Sequence, residues 1–285
     1  MRGRCLRAGP ARDHETKGDL SMQRLHLFEL EDFGWLPASI RDGGTDFLDF
    51  AFERLGFYDG VATRLIDLLR RTDAKRVIDL ASGGGGGTLQ LRSHVRAAGL
   101  TTEFVFSDGF PSEAGRARVA ALADPAARYL AEPLDAMDGG GSESGVRTMS
   151  GALHHFTPKS VSEILAGIVR RRAPLAFFDV ASSPALRKLP LLLAPIAMSV
   201  NMLMLFGATL AVVPFLRPFR PSRLFLTYLL PLIPTLVAWD GTVSALRAYS
   251  PDELLAIARA VPGADAYRWD AGVTGSALYL TGEPM

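Results

Sequence analysis

Val77-Ile78-Asp79-Leu80-Ala81-Ser82-Gly83-Gly84-Gly85-Gly86-Gly87-Thr88 is an apolar run that ends in an acid and is followed by five successive glycines. A stretch of helical spacing comes next. Without a Cβ the backbone takes positive φ freely, and a ligand can approach where a side chain would clash. A flexible linker has the same composition. It does not belong in a short turn between a strand and a helix.

Outward from this loop, strand-like and helix-like stretches alternate. Short β-branched or aromatic runs stand at 76–80, 103–107, 128–130, 146–150 and 175–180. Two more, at 266–269 and 277–281, flank a glycine-containing turn and can pair antiparallel. Val61, Leu65, Leu68 and Leu69 recur at helical spacing. Thr157 and Pro158 read as the N-cap and first position of a helix with Val161, Ile164, Leu165 and Ile168 as its buried stripe. Ser250 and Glu253 stand at capping-box spacing before another helix. This alternation predicts an α/β fold, a doubly wound, mostly parallel sheet with helices on both faces. Such sheets bind ligands at the carboxyl ends of their strands, at the topological switch point.

Composition removes several function classes. Lys+Arg total 31 and Asp+Glu 30 over 285 residues, a formal net charge of +1. No basic run supplies the electrostatic footprint of a nucleic-acid binder. One cysteine, Cys5, allows neither an intrachain disulfide framework nor a cysteine-based zinc site. With 48% hydrophobic and 21% charged residues the chain is not a disordered one. Its mean hydropathy of +0.16 is high for a soluble enzyme and points to a local apolar excess.

Two ligand classes use a glycine loop of this kind. A dinucleotide asks for G-x-G-x-x-G with the pyrophosphate on the helix N-terminus. Here Gly83 and Gly85 are followed by Thr88 rather than glycine, and the phosphate-loop lysine is missing altogether. The other class is S-adenosylmethionine (SAM), and Asp79, Gly83 and Gly85 resemble its Asp-x-Gly-x-Gly-x-Gly loop, with Ala81 in the place of the first glycine and Gly87, just past the pattern, as a further cofactor-binding candidate. Asp108, 21 residues past Gly87, can accept from ribose hydroxyls, which both classes use.

The fourth strand runs into Ser150-Gly151-Ala152-Leu153-His154-His155-Phe156. This closely resembles the segment after strand four in class I SAM-dependent methyltransferases. Together with the loop, Asp108 and the terminal strand pair, the resemblance covers roughly 58–180 and 250–281. It implies a seven-stranded sheet with the last strand antiparallel and SAM as cofactor. It further implies that Asp79 lies near the cofactor's amino-acid part and that the glycines admit its methionine and ribose, with Ser150 a further cofactor-binding candidate. Asp135 is the candidate for the adenine amino group; a plain loop aspartate is the equal alternative.

For chemistry, His154 or His155 is the candidate base if the acceptor must lose a proton, since imidazole titrates near neutrality. Packing and hydrogen bonding that close the pocket are the competing role. Side chains leaving a strand point apart, so one of the pair is expected to face the site. His14, His26 and His94 stand at no ligand spacing with them, so no metal site is expected. The absence of a Gly-x-Ser-x-Gly elbow argues against a hydrolase. Trp35, in a segment read as an N-terminal lid, is one candidate for acceptor contact. Asp240, Arg247 and Tyr249 are the others, contacting substrate or clamping the hydrophobic insert.

That insert holds the apolar excess. Positions 189–216 carry no charge over 28 residues, Arg217, Arg220 and Arg223 interrupt, and 224–239 add 16 more uncharged residues. The first run exceeds the roughly 20 residues that span a bilayer core. Strand five and the helix from Ser250 share one domain, so the insert must leave and return on one side. A full hairpin would put three arginines on the far side, against the positive-inside tendency. A re-entrant or interfacial hairpin with its arginines among headgroups is therefore the expectation. A buried helical subdomain or a dimer contact is the alternative.

The expected organisation is a disordered tail (1–21), an N-terminal helical lid segment (22–57), the SAM-binding core (58–184 and 240–285) and a hydrophobic helical insert after strand five (185–239). The resemblance implies a methyltransferase. The apolar insert adds the expectation of a small hydrophobic or lipid-like acceptor and of a cytoplasmic protein membrane-associated through 189–239, and the charge balance that of no nucleic-acid partner. The oligomeric state is left open. The alternatives are an NAD(P)-dependent reductase, against which Asp79 and the missing third glycine count, and a catalytically inactive membrane-attached SAM-binding domain.

Overall fold

A computed structural model describes residues 24–180 and 191–285. The expected tail, with Cys5 and His14, and the entry to the insert, with Arg187 and Lys188, lie outside the described residues.

Seven strands form one sheet: β1 (Arg76–Asp79), β2 (Glu103–Phe106), β3 (Ala127–Tyr129), β4 (Val146–Ser150), β5 (Leu175–Asp179), β6 (Tyr267–Thr274) and β7 (Ala277–Pro284). Their order is β3-β2-β1-β4-β5-β7-β6. Neighbours from β3 through β5 pair parallel, and β7 runs antiparallel to both β5 and β6. This is the doubly wound, mostly parallel sheet that the sequence pattern predicts, with the reversed last strand that the resemblance implied. The switch point falls between β1 and β4, where Asp79 is in register with Thr148.

Both sheet faces are covered. On one, α2 (Asp59–Thr72), α3 (Gly86–Ala97) and α4 (Glu113–Ala120) pack Leu65, Leu68, Leu91, Val95 and Val119 against Val77, Phe104 and Phe178. On the other, α5 (Pro158–Arg170) and α9 (Pro251–Ala260) bury Val161, Ile164, Leu165, Leu254 and Ala258 against Ile78, Met149 and Phe177. The start signals read from sequence are present. Thr157 accepts from the Ser160 N–H with Pro158 at the first position, and Ser250 with Glu253 forms a capping box.

A third, helical layer has a core of its own. It joins α1 (Ala38–Leu55), α6 (Ala194–Val212), the single turn α7 (Pro221–Leu224) with a π-helical stretch Phe225–Leu229, and α8 (Leu232–Arg247). Leu36, Ile40 and Phe47 pack against Val213, Leu216, Ile233, Leu236 and Val237. Gly43 and Gly44 let the α1 backbone lie on α8: a Cβ at Gly44 would stand 3.0 Å from Leu236 Cδ2. The N-terminal segment and the insert therefore fold together as one cap, although they lie far apart in sequence. α8 also runs unbroken across position 240, so Trp239 and Asp240 are turns of one helix rather than a junction.

Within the insert the two apolar runs part company. Ala194–Phe215 is 22 residues long, and an 18-residue stretch of it has a mean hydropathy of 2.1 with 11% of that stretch buried. The second run is bent by 76° between Leu229 and Leu232, and most of α8 is interior. Of the three arginines expected among headgroups, Arg217 and Arg220 are exposed. Arg223 is buried and donates to Asp46 (2.6 Å) and to the carbonyls of Leu216 and Pro218 (2.8 Å each). It is an interior tie of the cap, because a chain that doubles back there needs its carbonyls paired.

Candidate functional site

The carboxyl edge of the sheet gathers the sequence-predicted residues of the glycine loop. Asp79, at the end of β1, is buried and accepts from Ser82 Oγ (2.7 Å) and Thr148 Oγ1 (2.9 Å). Burial pushes its carboxyl up to about 6, against these hydrogen bonds. Ala81 has φ +56°, in the left-handed region that favours glycine, which is the physical reason a glycine is usual there. Gly83 and Gly85 also have positive φ, at +49° and +79°.

The five glycines divide into two roles. A Cβ on Gly83 would meet nothing within 4 Å, so this glycine faces open space. A Cβ on Gly86 would overlap the Asp49 carboxylate of α1, and one on Gly87 would stand 2.5 Å from Tyr58 Oη. The later glycines admit the protein's own cap and α2 rather than a ligand. Asp49 is held at the start of α3 by Arg118, which also donates to the Gly84 carbonyl (3.2 Å).

Asp108 accepts from the Gly83 N–H (2.8 Å) with one oxygen and from the Phe110 N–H (2.8 Å) with the other. It braces the loop from the end of β2. Ser150 Oγ accepts from Thr88 (2.9 Å) and so links the end of β4 to α3. Asp135 is exposed and accepts from the Met137 N–H (2.9 Å), capping a short 3-10 turn. A groove of about 840 Å³ reaches Gly86 and Leu89 from the side of Asp49, Arg118 and Phe215. Neither His154 nor Asp179 lines it.

The histidine pair departs from expectation. Leu153–His155 is a 3-10 turn, not a strand exit, and its tighter winding brings the two rings together with centroids 4.3 Å apart. The expectation that they point apart is corrected. His154 is buried; its backbone N–H donates to Asp179 Oδ2 (2.9 Å), and its Nδ1 lies 2.9 Å from the same oxygen. Asp179, at the buried end of β5, is a site residue that sequence reasoning missed. Its only signal was its position, an acid closing an apolar strand as Asp79 does.

His155, half-buried, faces the N-terminal segment. Its Nδ1 is 3.3 Å from Asp32 Oδ1 and 3.4 Å from Glu29 Oε2, and its Nε2 is 3.5 Å from Glu31 Oε1. Arg247 binds the same group: it donates to the Leu27 carbonyl (2.6 Å) and pairs with Asp32 (2.8 Å) and Glu29 (3.1 Å). Asp240 accepts from the backbone N–H groups of Leu30 (2.7 Å) and Glu31 (3.0 Å). Tyr249 donates to the Phe156 carbonyl (2.7 Å) and lies under the Arg24 guanidinium. These three side chains clamp residues 24–32 and the histidine turn; what they hold is the N-terminal segment, not the insert. Trp35 is 67% exposed and stacks on Phe33, outside this network.

The clamp is electrostatically uneven. Burial pushes Glu29 up to about 7 against the pull of His155 and Arg247, and pushes Asp240 up to about 6. Asp32 is held far below the ordinary carboxylate range, first by its hydrogen bond to His155 and further by Arg247, against partial burial.

No family model matches the chain, and no curated protein does. Solved structures similar to it include an O-methyltransferase family protein from Burkholderia thailandensis (15% identity, TM-score 0.49, 83% of this chain and 58% of that one). Human N-acetylserotonin methyltransferase in complex with SAM is another (11% identity, TM-score 0.49, 93% and 63%). A third is the plantazolicin methyltransferase, solved with a substrate analogue and SAH (10% identity, TM-score 0.44, 82% and 79%). The chain thus spans about three fifths of the length of the first two. At these identities no site residue is carried across from them.

Proposed function

We propose that this chain is a SAM-dependent methyltransferase whose acceptor is small and apolar and presents a hydroxyl to His154. One observation carries the reading. The glycine loop with Asp79 and Asp108, and a buried imidazole hydrogen-bonded to a carboxylate, follow the carboxyl ends of β1, β2, β4 and β5 on one edge of the sheet. The residues present fit the cofactor: Gly83 faces open space beside Asp108, and Asp79 supplies a buried acid next to it. Ala81, Gly83, Gly85 and Asp108 would hold the nucleoside, and Asp79 and Ser150 the amino-acid end, while Gly87, packed on Tyr58, has no part in it. Asp135, already engaged as a cap, is the outermost of the set.

When bound, SAM supplies a methyl group on a sulfonium, already activated for in-line displacement. What remains for the protein is alignment, exclusion of water and removal of the hydroxyl proton. Asp179 takes the Nδ1 side of His154, which sets the tautomer and leaves Nε2 as the proton acceptor. Residues 24–36, clamped by Asp240 and Arg247, cover the histidine turn and keep solvent from it.

Titration of the purified protein with SAM, SAH and NADH by calorimetry tests the cofactor. Micromolar binding of SAM and SAH with no NADH binding is expected. Binding of NADH alone overturns the assignment.

The insert brings the apolar acceptor within reach by resting on a bilayer surface. Ile196, Val200 and Leu203 form one exposed stripe of α6, at 63%, 60% and 73% exposure. At about 1.5 Å per residue the 22-residue segment is about 33 Å long, and Arg217 and Arg220 stand beyond its end. The protein is expected to float with anionic phospholipid vesicles, and Leu203→Glu with Ile196→Glu to release it. If the intact chain stays wholly soluble and monomeric in the presence of vesicles, the surface role fails.

A further inference from the structure

Glu29 is the least expected residue of the cap. It is fully buried, and its Oε1 is used by Ser244 (3.1 Å) and Arg247 (3.1 Å). Its Oε2 is buried with no hydrogen-bond partner and lies 3.4 Å from His155 Nδ1. An orphaned carboxylate oxygen in the interior costs free energy unless something charged or protonated meets it. It points at two imidazoles.

We infer that Glu29, His154 and His155 form a binding site for a divalent transition-metal ion. One donor atom from each, all within 4.8 Å of one another, is already gathered there. A tetrahedral zinc ion holds its donors about 3.3 Å apart, so the Glu29–His155 pair is at coordination spacing, and the remaining approach is a side-chain adjustment. Asp179 on His154 Nδ1 supplies the second-shell carboxylate that metal-bound histidines usually carry, and Nε2 is left for the ion. Asp32, 3.3 Å from His155, is the nearest fourth donor.

Charge favours a cation as well. Four carboxylates (Glu29, Glu31, Asp32 and Asp179) touch the two imidazoles, and Arg247 is the guanidinium set against them. Arg247 Nη1 is also 3.5 Å from His155 Nδ1 and must move toward Glu29 Oε1 as the ion enters. Two nitrogens and one carboxylate oxygen suit zinc, cobalt or iron rather than magnesium or calcium.

The site deepens the reaction proposed above and rests on it only for its role. In the loaded protein His154 Nε2 would be a ligand instead of the base, the ion would supply Lewis-acid polarisation of the acceptor hydroxyl, and the neighbouring Glu31 carboxylate would take the proton. Binding itself does not depend on SAM. The two fail separately.

The test is titration of the chelator-treated full-length chain with Zn2+ and Mg2+, and with Co2+ followed by visible absorption. The expected result is one Zn2+ bound at micromolar Kd or tighter, tetrahedral Co2+ bands, and no comparable Mg2+ binding. Glu29→Gln and His155→Gln should each weaken zinc at least about 100-fold and abolish the cobalt bands. Cys5, His14 and His26 offer competing donors, so the reading is made on the two variants and not on stoichiometry alone. Wild-type zinc binding weaker than millimolar overturns the site, and so does unchanged affinity in both variants. SAM titrated into the same samples checks that each variant is folded. SAM binding without zinc binding removes only the metal; zinc binding without SAM binding removes only the methyl-transfer reading.

Discussion

Asp179→Asn should lower turnover by about 10³–10⁴-fold, the range found when a carboxylate that orients a catalytic histidine becomes an amide, while SAM affinity changes less than about threefold. The asymmetry follows from geometry. Asp179 accepts from the backbone of the histidine turn and contacts His154 Nδ1 at the end of β5, whereas Gly83 and Asp108 follow β1 and β2. An asparagine keeps the shape of the side chain and can still accept the backbone N–H. It no longer prefers the tautomer with hydrogen on Nδ1, so the Nε2 lone pair needed for proton removal in the metal-free protein, or for holding a metal ion, is lost. His154→Gln should match it, and the double variant should lose little more, because residues acting as one unit are not additive. Single-turnover kinetics with labelled SAM and a panel of hydrophobic phenols or alcohols measures both. Turnover within tenfold of wild type, with a lowered Tm, would assign the pair a packing role instead.

Arg247→Met should destabilise the protein by about 3–5 kcal/mol, the usual cost of leaving one partner of a buried ion pair uncompensated. Arg247 is 3% exposed and faces Glu29, which is fully buried, so the loss cannot be repaired by water. The effect should be local first, with residues 24–36 becoming open to proteases before the sheet unfolds. Limited proteolysis with mass spectrometry reads this directly, and equal cleavage of wild type and variant sinks the clamp.

The clamp should also depend on pH, with a definite sign. Glu29 and Asp240 have raised pKa values when docked, so their contribution is fully present below the unfolded carboxylate range and is lost as pH rises through about 6 to 7. Asp32 is shifted down, so its contribution is present above its unfolded value and is lost only in strong acid. Docking should therefore be tightest at mildly acidic pH and loosen toward pH 8. Glu29→Gln should flatten most of that slope, because an amide does not titrate.

Several elements were legible in the chain because their causes are local. The strand–glycine–helix stretch at 76–88 declared a parallel α/β sheet, since no other common arrangement needs a side-chain-free turn there. The capping residues Thr157 and Ser250 marked helix starts because each bonds a backbone only three residues ahead. Asp108 was found by its distance along the chain from the loop. Other features left no local trace. That α1, expected only as part of an N-terminal helical segment, lies with Gly43 and Gly44 against α8 is one of them, because its partner is about 190 positions away. The helix α4 is short and shows little amphipathic pattern.

The amino-acid order by itself thus determined the alternating strands and helices of the sheet, the strand-end acids Asp79 and Asp108, and the existence of an apolar insert. Each follows from backbone preference, hydrophobic periodicity or the absence of a Cβ, which act within a few residues. Only the tertiary structure decided that His154 rests on Asp179, that His155 meets Glu29, and that Asp240 and Arg247 hold the N-terminal segment. Those contacts span 25, 126, about 210 and about 215 positions. Charge and hydrogen bonding act through space at a few ångströms, and a linear pattern holds no record of which distant carboxylate folding will bring to an imidazole.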